Sequence, residues 1–597
     1  MSSIMYDNIW KSAHSALEET IQTDVTLQNA KSQKDRKKAH NTVSELYVKY
    51  IIICNKLEQC YDQIIQPQKR ILLRQLLNAN VGRILELKHE LVEIDLSEYS
   101  YFDDVLIKLG ITPQEAEIRI PRFFIRERLK EIEERRGFIE NTLRNIGALD
   151  EVVVSKKMTE AEAIRLIQVQ CNFVTQGTES TISKSTAVSS KESKKSKRSK
   201  SKKDSETEQS EEETEQGFKS TPSNFLSELV QGNQEYQDVW KDKDESQNTA
   251  QLPYEDMVEI EKTKEVENEV RLVVDQELRG DIEALQAALD RDKGLKGKRA
   301  KKPQKRMRRS GKKNKKKKEK DLTPDRTTES LFEELLTEGI IKPYREISLN
   351  DFKGEKSFAN YDLRKKGKDP LPTLGDVRQL IAEYCILPLG NDVLRELTPL
   401  VRSVLIAGPH GSGKRMLVNA ICTELGATLF DVTPANIAGR YPGKSGLIML
   451  LHLISKVSRL LQPSVIFMDG AEKPFVKKIP KTDKTDPKRF KKDLPKLIKN
   501  ITNEDRVLFI GTTSSPWDAD QKLLYQTYDK VIYIPRPDYG TMSLVWRDLL
   551  YKVRNELLVY SNSVKFNRFI SFSFKDAFQG LSTSLTPCLM IMNDSSE

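Results

Sequence analysis

The chain has 597 residues, 31% charged and 38% hydrophobic, with a net charge of +10. That length holds several domains. No segment approaches the ~18–20 apolar residues of a membrane span, and the first residues lack the charged and apolar regions of a secretory leader. Residues 296–320 hold 16 Lys/Arg against one Glu, a local +15, so the rest of the chain carries −5 and the basicity belongs to a tract, not a folded face. Six cysteines, at 54, 60, 171, 385, 422 and 588, form no CxxC pair, which fits reduced cytosolic thiols better than a disulfide framework or zinc site.

Residues 1–150 read as a helical N-terminal domain. Val43 to Ile65 carries apolar residues at helical spacing, Pro67 breaks the pattern, and Arg70 to Leu96 resumes it. A third helix is expected from Arg122 to Ile146. Residues 155–177 are expected to form a short further helix, and 178–252 read as a disordered linker, Ser/Lys-rich to Lys203 and then acidic. Residues 253–293 have helical periodicity with a polar composition and read as a long exposed helix or coiled-coil strand. The basic tract occupies 294–322, and a short helix (Glu329 to Leu336) and a linker fill 323–369. A compact α/β domain follows over 370–560, where strands alternate with helices as in βαβ units. The tail 561–597 is atypical.

The α/β domain contains Gly408, Pro409, His410, Gly411, Ser412, Gly413, Lys414 and Arg415 between an apolar strand (Ser403 to Ala407) and a helix beginning at Met416. Strand, Gly-rich loop and helix are the context of a phosphate-binding loop: backbone N–H groups curl around phosphate oxygens at a helix N-terminus, and Lys414 reaches the outer phosphates. The next residue should carry a hydroxyl for Mg²⁺, and Arg415 cannot ligate a cation. Further strands are expected at Thr428–Val432, Ser464–Asp469, Val507–Thr513 and Val531–Pro535. Asp469, ending an apolar run, is the candidate to anchor Mg²⁺ through water, or else an acid capping a turn.

This order of strands resembles the AAA family of P-loop ATPases over roughly residues 370–560. Leu387-Pro388-Leu389 is similar to a family helix end, Tyr441, Pro442 and Gly443 to its pore loop, Asp469 to its Walker B acid, and the segment from Gly511 to Pro516, with Ser514 at the sensor position, to its sensor. The resemblance implies a parallel sheet and ATP or ADP as ligand. Departures from the pattern argue against turnover. Gly470 replaces the Glu that polarises the attacking water, and Glu472, two residues on, is expected to point elsewhere. Ser514 replaces the sensor Asn. Leu523 to Lys530 lacks the arginine finger, and the helical lid looks shortened.

The whole chain, to about residue 550, resembles the IQ-motif-and-AAA-domain proteins of the nexin–dynein regulatory complex. The stretches that carry this include Tyr61 to Ile71, Gly82 to Lys88, Tyr101 to Asp104 and Asn436 to Lys444. That resemblance implies a scaffold subunit in the axoneme of cilia and flagella, within the cytoplasm and cytoskeleton. Its implied partners are other subunits of the complex and tubulin of the doublet microtubule. It also implies an IQ motif for calmodulin at Ile167 and Gln168. Asn172, Phe173 and Gly177 stand where the motif's Arg, Gly and final basic residue belong, which weakens that expectation. An active AAA remodeller threading a partner past Tyr441, and a nuclear or RNA-associated protein using its basic tract, are the alternatives. The tract has no aromatic residue for base stacking, so nucleic acid is disfavoured. No membrane partner is expected.

Overall fold

The computed structural model describes residues 3–30, 34–147, 218–243, 250–292, 322–356, 371–477 and 485–561, with a few isolated positions between. The IQ-like residues Ile167 and Gln168, nearly all of the basic tract and all but the first residue of the C-terminal tail lie outside them. Among the described residues no helix is long and apolar enough to cross a membrane.

The N-terminal half is helical: α1 (Ser3–Gln28), α2 (Arg36–Gln63), α3 (Pro67–Asp95), α4 (Asp103–Leu109), α5 (Phe123–Arg126) and α6 (Leu129–Asn145). Asp35 starts α2 by accepting the amides of Lys37 and Lys38. Pro67, which breaks the periodicity, is the first residue of α3, where its missing N–H costs nothing. The single helix expected over 122–146 is broken at Glu127 and Arg128 into α5 and α6.

The disordered linker expected over 178–252 is contradicted at 218–243. There α7 (Leu226–Glu235) continues as one π turn, Tyr236–Trp240, and packs on α1 and α3. Phe225, Leu229, Tyr236 and Trp240 are buried, and the rings of Tyr236 and Trp240 lie beside Trp10. Close approach requires Gly82, where an added Cβ would lie 2.6 Å from the Phe225 ring. A buried ionic cluster fixes the segment. Arg83 donates twice to Asp24 at 2.8 Å, with both side chains fully buried. Glu86 pairs with Arg83 and accepts the Asn224 amide at 2.9 Å, and Glu90 accepts from Ser220 at 2.9 Å. The long α8 (Glu255–Asp292) leaves Val266, Val270, Val273, Leu278, Ile282, Leu285 and Leu289 exposed.

The C-terminal unit is a five-stranded parallel sheet in the order β2-β3-β4-β1-β5, from β1 (Ser403–Ala407), β2 (Thr428–Asp431), β3 (Ser464–Asp469), β4 (Val507–Thr513) and β5 (Lys530–Tyr533). The central strands are buried along their length, as a parallel sheet covered on both faces requires. This unit begins before residue 370, so the linker expected over 323–369 is corrected in part. Leu331, Leu335 and Leu336 of α9 (Thr328–Thr337) share a core with Phe430, Leu450 and Ile466. The chain then runs along the outer edge of β2: the Lys342 amide donates to Leu429 O at 3.1 Å, and the Asp431 amide to Ile340 O at 2.7 Å.

The opposite edge, β5, is covered by the helical half. The Tyr99 hydroxyl donates to Tyr533 O at 2.8 Å and accepts its N–H at 3.0 Å, while Lys530 pairs with Glu98 at 2.8 Å. Unpaired strand edges invite association, and both edges here are occupied from within the chain. On the same interface Glu383 is fully buried. It accepts from the Tyr47 hydroxyl and from Gln379, and faces Lys88 at 3.5 Å. Burial first, and then the charge of Glu383, hold the Tyr47 phenol far above its ordinary pKa, so it stays a donor.

Two predictions follow from this packing. Replacing Glu383 with Ala leaves Lys88, Tyr47 and Gln379 without their shared acceptor; urea denaturation should show a loss of about 3 kcal/mol. Glu58, 4% exposed, accepts the Arg122 amide at 2.9 Å, and burial raises its pKa to about 7. The folded state therefore holds a proton there that the unfolded chain has released, and stability falls as pH rises from 4.5 through about 7. Glu58→Gln should stabilise the protein by on the order of 2 kcal/mol at pH 8 and change little at pH 4.5.

Candidate nucleotide site

The loop Gly408–Gly413 leaves the end of β1 and enters α10 (Lys414–Leu425), with Gly411 and Gly413 in the left-handed region at φ +80° and +84°. The first amides of α10 have no partners within the helix, so this end favours an anion. A Cβ on Gly413 would meet the Phe352 ring at 3.1 Å. Phe352, from the segment that sequence reading assigned to a linker, therefore lies against the loop. Its signal was only an aromatic residue between a Ser-capped turn and a glycine, which composition does not separate from a linker.

Lys414 folds back over the loop, and its ammonium donates to Gly408 O at 2.9 Å and Pro409 O at 2.7 Å. Burial lowers its pKa, opposed by the charges of Asp469 and Glu472. The hydroxyls of Ser412 and of Thr513, at the end of β4, are buried with no hydrogen-bond partner. Orphaned donors, left-handed glycines and a lysine resting on its own loop's carbonyls fit a nucleotide phosphate. Gly408 through Lys414 would hold it, the backbone amides cradling its oxygens and Lys414 balancing its charge.

The same residues do not fit the magnesium expected at Asp469. Oδ2 of Asp469 accepts from Arg415 Nη2 at 2.6 Å and Nε at 3.2 Å. Oδ1 accepts from the Thr512 hydroxyl at 2.7 Å and the Gly470 amide at 3.0 Å. Both oxygens are engaged, and the guanidinium holds the place a hydroxyl would need for a cation. Burial would raise the Asp469 pKa, but hydrogen bonds from Thr512 and Arg415 outweigh it and keep the carboxyl below its usual range.

The structure brings some candidates into this site and takes others out. Ser514 follows β4 at the mouth of the site, half-buried, but the β4 residue that touches the acid is Thr512, which sequence reading passed over. Glu472, expected to point away, is 8% exposed, and its charge acts on Lys414 and Tyr528. The reason is Gly470: its φ of +68° turns the chain, and the Ala471 amide returns to Thr512 O at 2.9 Å. One oxygen of Glu472 has no hydrogen-bond partner. Pro442 and Gly443 are exposed at the start of α11 (Gly443–Leu460), but Tyr441 is not presented as a pore residue. Its ring packs on the core and its hydroxyl donates to Glu334 at 2.8 Å.

A model of the dynein regulatory complex subunit 11-like N-terminal domain matches residues 6–127, and one of the ATPase family associated with various cellular activities (AAA) matches 404–536. The mouse dynein regulatory complex protein 11 is 29% identical over 92% of this chain and 87% of its own length. From its N-terminal domain through its AAA domain the chain is similar to dynein regulatory complex protein 11. The namesake protein of Chlamydomonas reinhardtii is 34% identical over 23% of this chain and 27% of its own, and spastin of Naegleria gruberi 30% identical over 30% and 35%. Among solved structures, the FIGL-1 AAA domain in complex with ADP is 21% identical, covers 38% of this chain and 69% of its own, and has a TM-score of 0.28.

The geometry predicts unequal stability losses at this site. Arg415→Ala should cost less than about 1 kcal/mol, because an exposed ion pair is worth little. Asp469→Ala should cost about 2 kcal/mol, because it strips the buried Thr512 hydroxyl of its acceptor. Thermal unfolding of the two variants checks the order, and equal losses would contradict it.

Proposed function

We propose that this chain is a scaffold subunit of a dynein regulatory complex in the axoneme of cilia and flagella, and that its AAA domain holds ATP or ADP without turning it over. The observation carrying the first part is the co-occurrence of both matched domains in one chain, with a dynein regulatory complex protein aligned across 92% of it. The second part rests on chemistry. A P-loop with its lysine retained supports phosphate binding, while Arg415 in place of a hydroxyl and Gly470 in place of a water-polarising carboxylate remove the means of attack. A ligand bound only by the folded state stabilises it by mass action, so a resident nucleotide would stiffen the scaffold.

The partners of this reading are other subunits of the complex, with the apolar stripe of α8 available to a helix and the basic tract directed at acidic tubulin. Calmodulin at Ile167 and Gln168 remains the least supported contact. Purified full-length protein should show a Lys414-dependent rise in melting temperature with ADP and no Lys414-dependent phosphate release. Sustained release at about 1 per second, within the ordinary enzymatic range, would replace the scaffold reading with an active remodeller. In ciliated cells the tagged chain should co-purify with regulatory-complex subunits from salt-extracted axonemes. Recovery only in the soluble or nuclear fraction would sink the axonemal part.

A further inference from the structure

This inference rests on the nucleotide-holding reading above. Three features of Arg415 stand out. It sits in the first turn of α10, where a cation meets the positive end of the helix and is disfavoured by a few tenths to 1 kcal/mol. Its side chain is 71% exposed, so neither packing nor burial explains it. It reaches across to the acid at the end of β3 and uses two of its five donors on a single oxygen, which leaves three donors for another acceptor.

A metal at this place has two tasks: to bring positive charge to the phosphates, and to tie them to the β3 acid. A guanidinium can do both. It is charged at every accessible pH, and its planar fork binds carboxylate and phosphate oxygens together. Asp469, with both oxygens already filled, positions the guanidinium instead of a hydrated cation. We propose that Arg415 is a tethered substitute for magnesium, and that this site binds the phosphates of a nucleotide without a divalent cation. The charge of the nearby Glu472 acts on Lys414, and its Oε2 has no hydrogen-bond partner. Among the described residues no group of three or more acidic, His or Cys side chains is placed to hold a metal.

The test is a titration of the full-length chain with a fluorescent ADP analogue, in excess Mg²⁺ and in EDTA. Wild-type Kd should agree between the two buffers to within about twofold, and Arg415→Ser should weaken binding in EDTA by about tenfold or more, the value of one charge-assisted hydrogen bond to phosphate. Because the serine restores a hydroxyl, Mg²⁺ should recover part of that loss in the variant alone. Circular dichroism melts of the nucleotide-free proteins establish that both are folded. Wild-type binding that collapses in EDTA, or an Arg415→Ser variant that binds like wild type in EDTA, overturns the proposal and leaves the nucleotide-holding reading intact. Absence of binding in both buffers overturns the two together.

Discussion

Glu383 has no contact with solvent, and groups from both halves of the chain converge on it: Tyr47 and Lys88 from the helical half, Gln379 from the P-loop half. A buried carboxylate is costly unless it is paired; Oε1 takes the Tyr47 and Gln379 bonds and Oε2 has only the Lys88 charge at 3.5 Å, so a docking geometry that separated these groups would be penalised. Around it, Arg128 donates to Leu425 O at 2.6 Å at the C-terminal end of α10, and Arg135 donates to the Thr428 hydroxyl at 2.9 Å at the start of β2. These contacts hold the backside of the phosphate-loop helix. The candidate nucleotide site thus belongs to a body in which the helical half is part of the support of the sheet and not an appendage.

The chemistry at the loop agrees with that mechanical arrangement. Turnover needs a metal, a polarised water and freedom to release product. Here the acid of β3 is committed to a guanidinium and the next residue is a glycine, while the aromatic residue of the pore-like loop is committed to Glu334. Each of these groups has been given a partner inside the fold.

The loop Gly408–Arg415 was legible because its signal is local: glycine spacing, one lysine, and flanking apolar runs dictate backbone shape within a few residues. The strands were legible for the same reason, as short continuous apolar runs between turns. Residues 218–243 were not. Their aromatic residues lie behind a long acidic stretch whose composition dominates any window, and they are ordered by Arg83, Glu86 and Glu90, more than a hundred residues earlier. Residues 328–352 were misread likewise, since a ten-residue helix and an extended strip become part of a domain only when β2 offers its edge.

Sequence alone determined that a phosphate loop is present, that its metal-binding hydroxyl is missing, and that a helical half precedes it, because each follows from residue type at short spacing. Only the tertiary structure decided what replaced the missing parts. Arg415 and Asp469 are 54 positions apart and Asp469 and Thr512 are 43 apart, so their meeting depends on the parallel order of β1, β3 and β4. Glu472 enters the site because a left-handed glycine turns it there, and Tyr441 is held half-buried against the core because α9 supplies an acceptor. Partners distant in the chain are chosen by packing, and no local pattern encodes them.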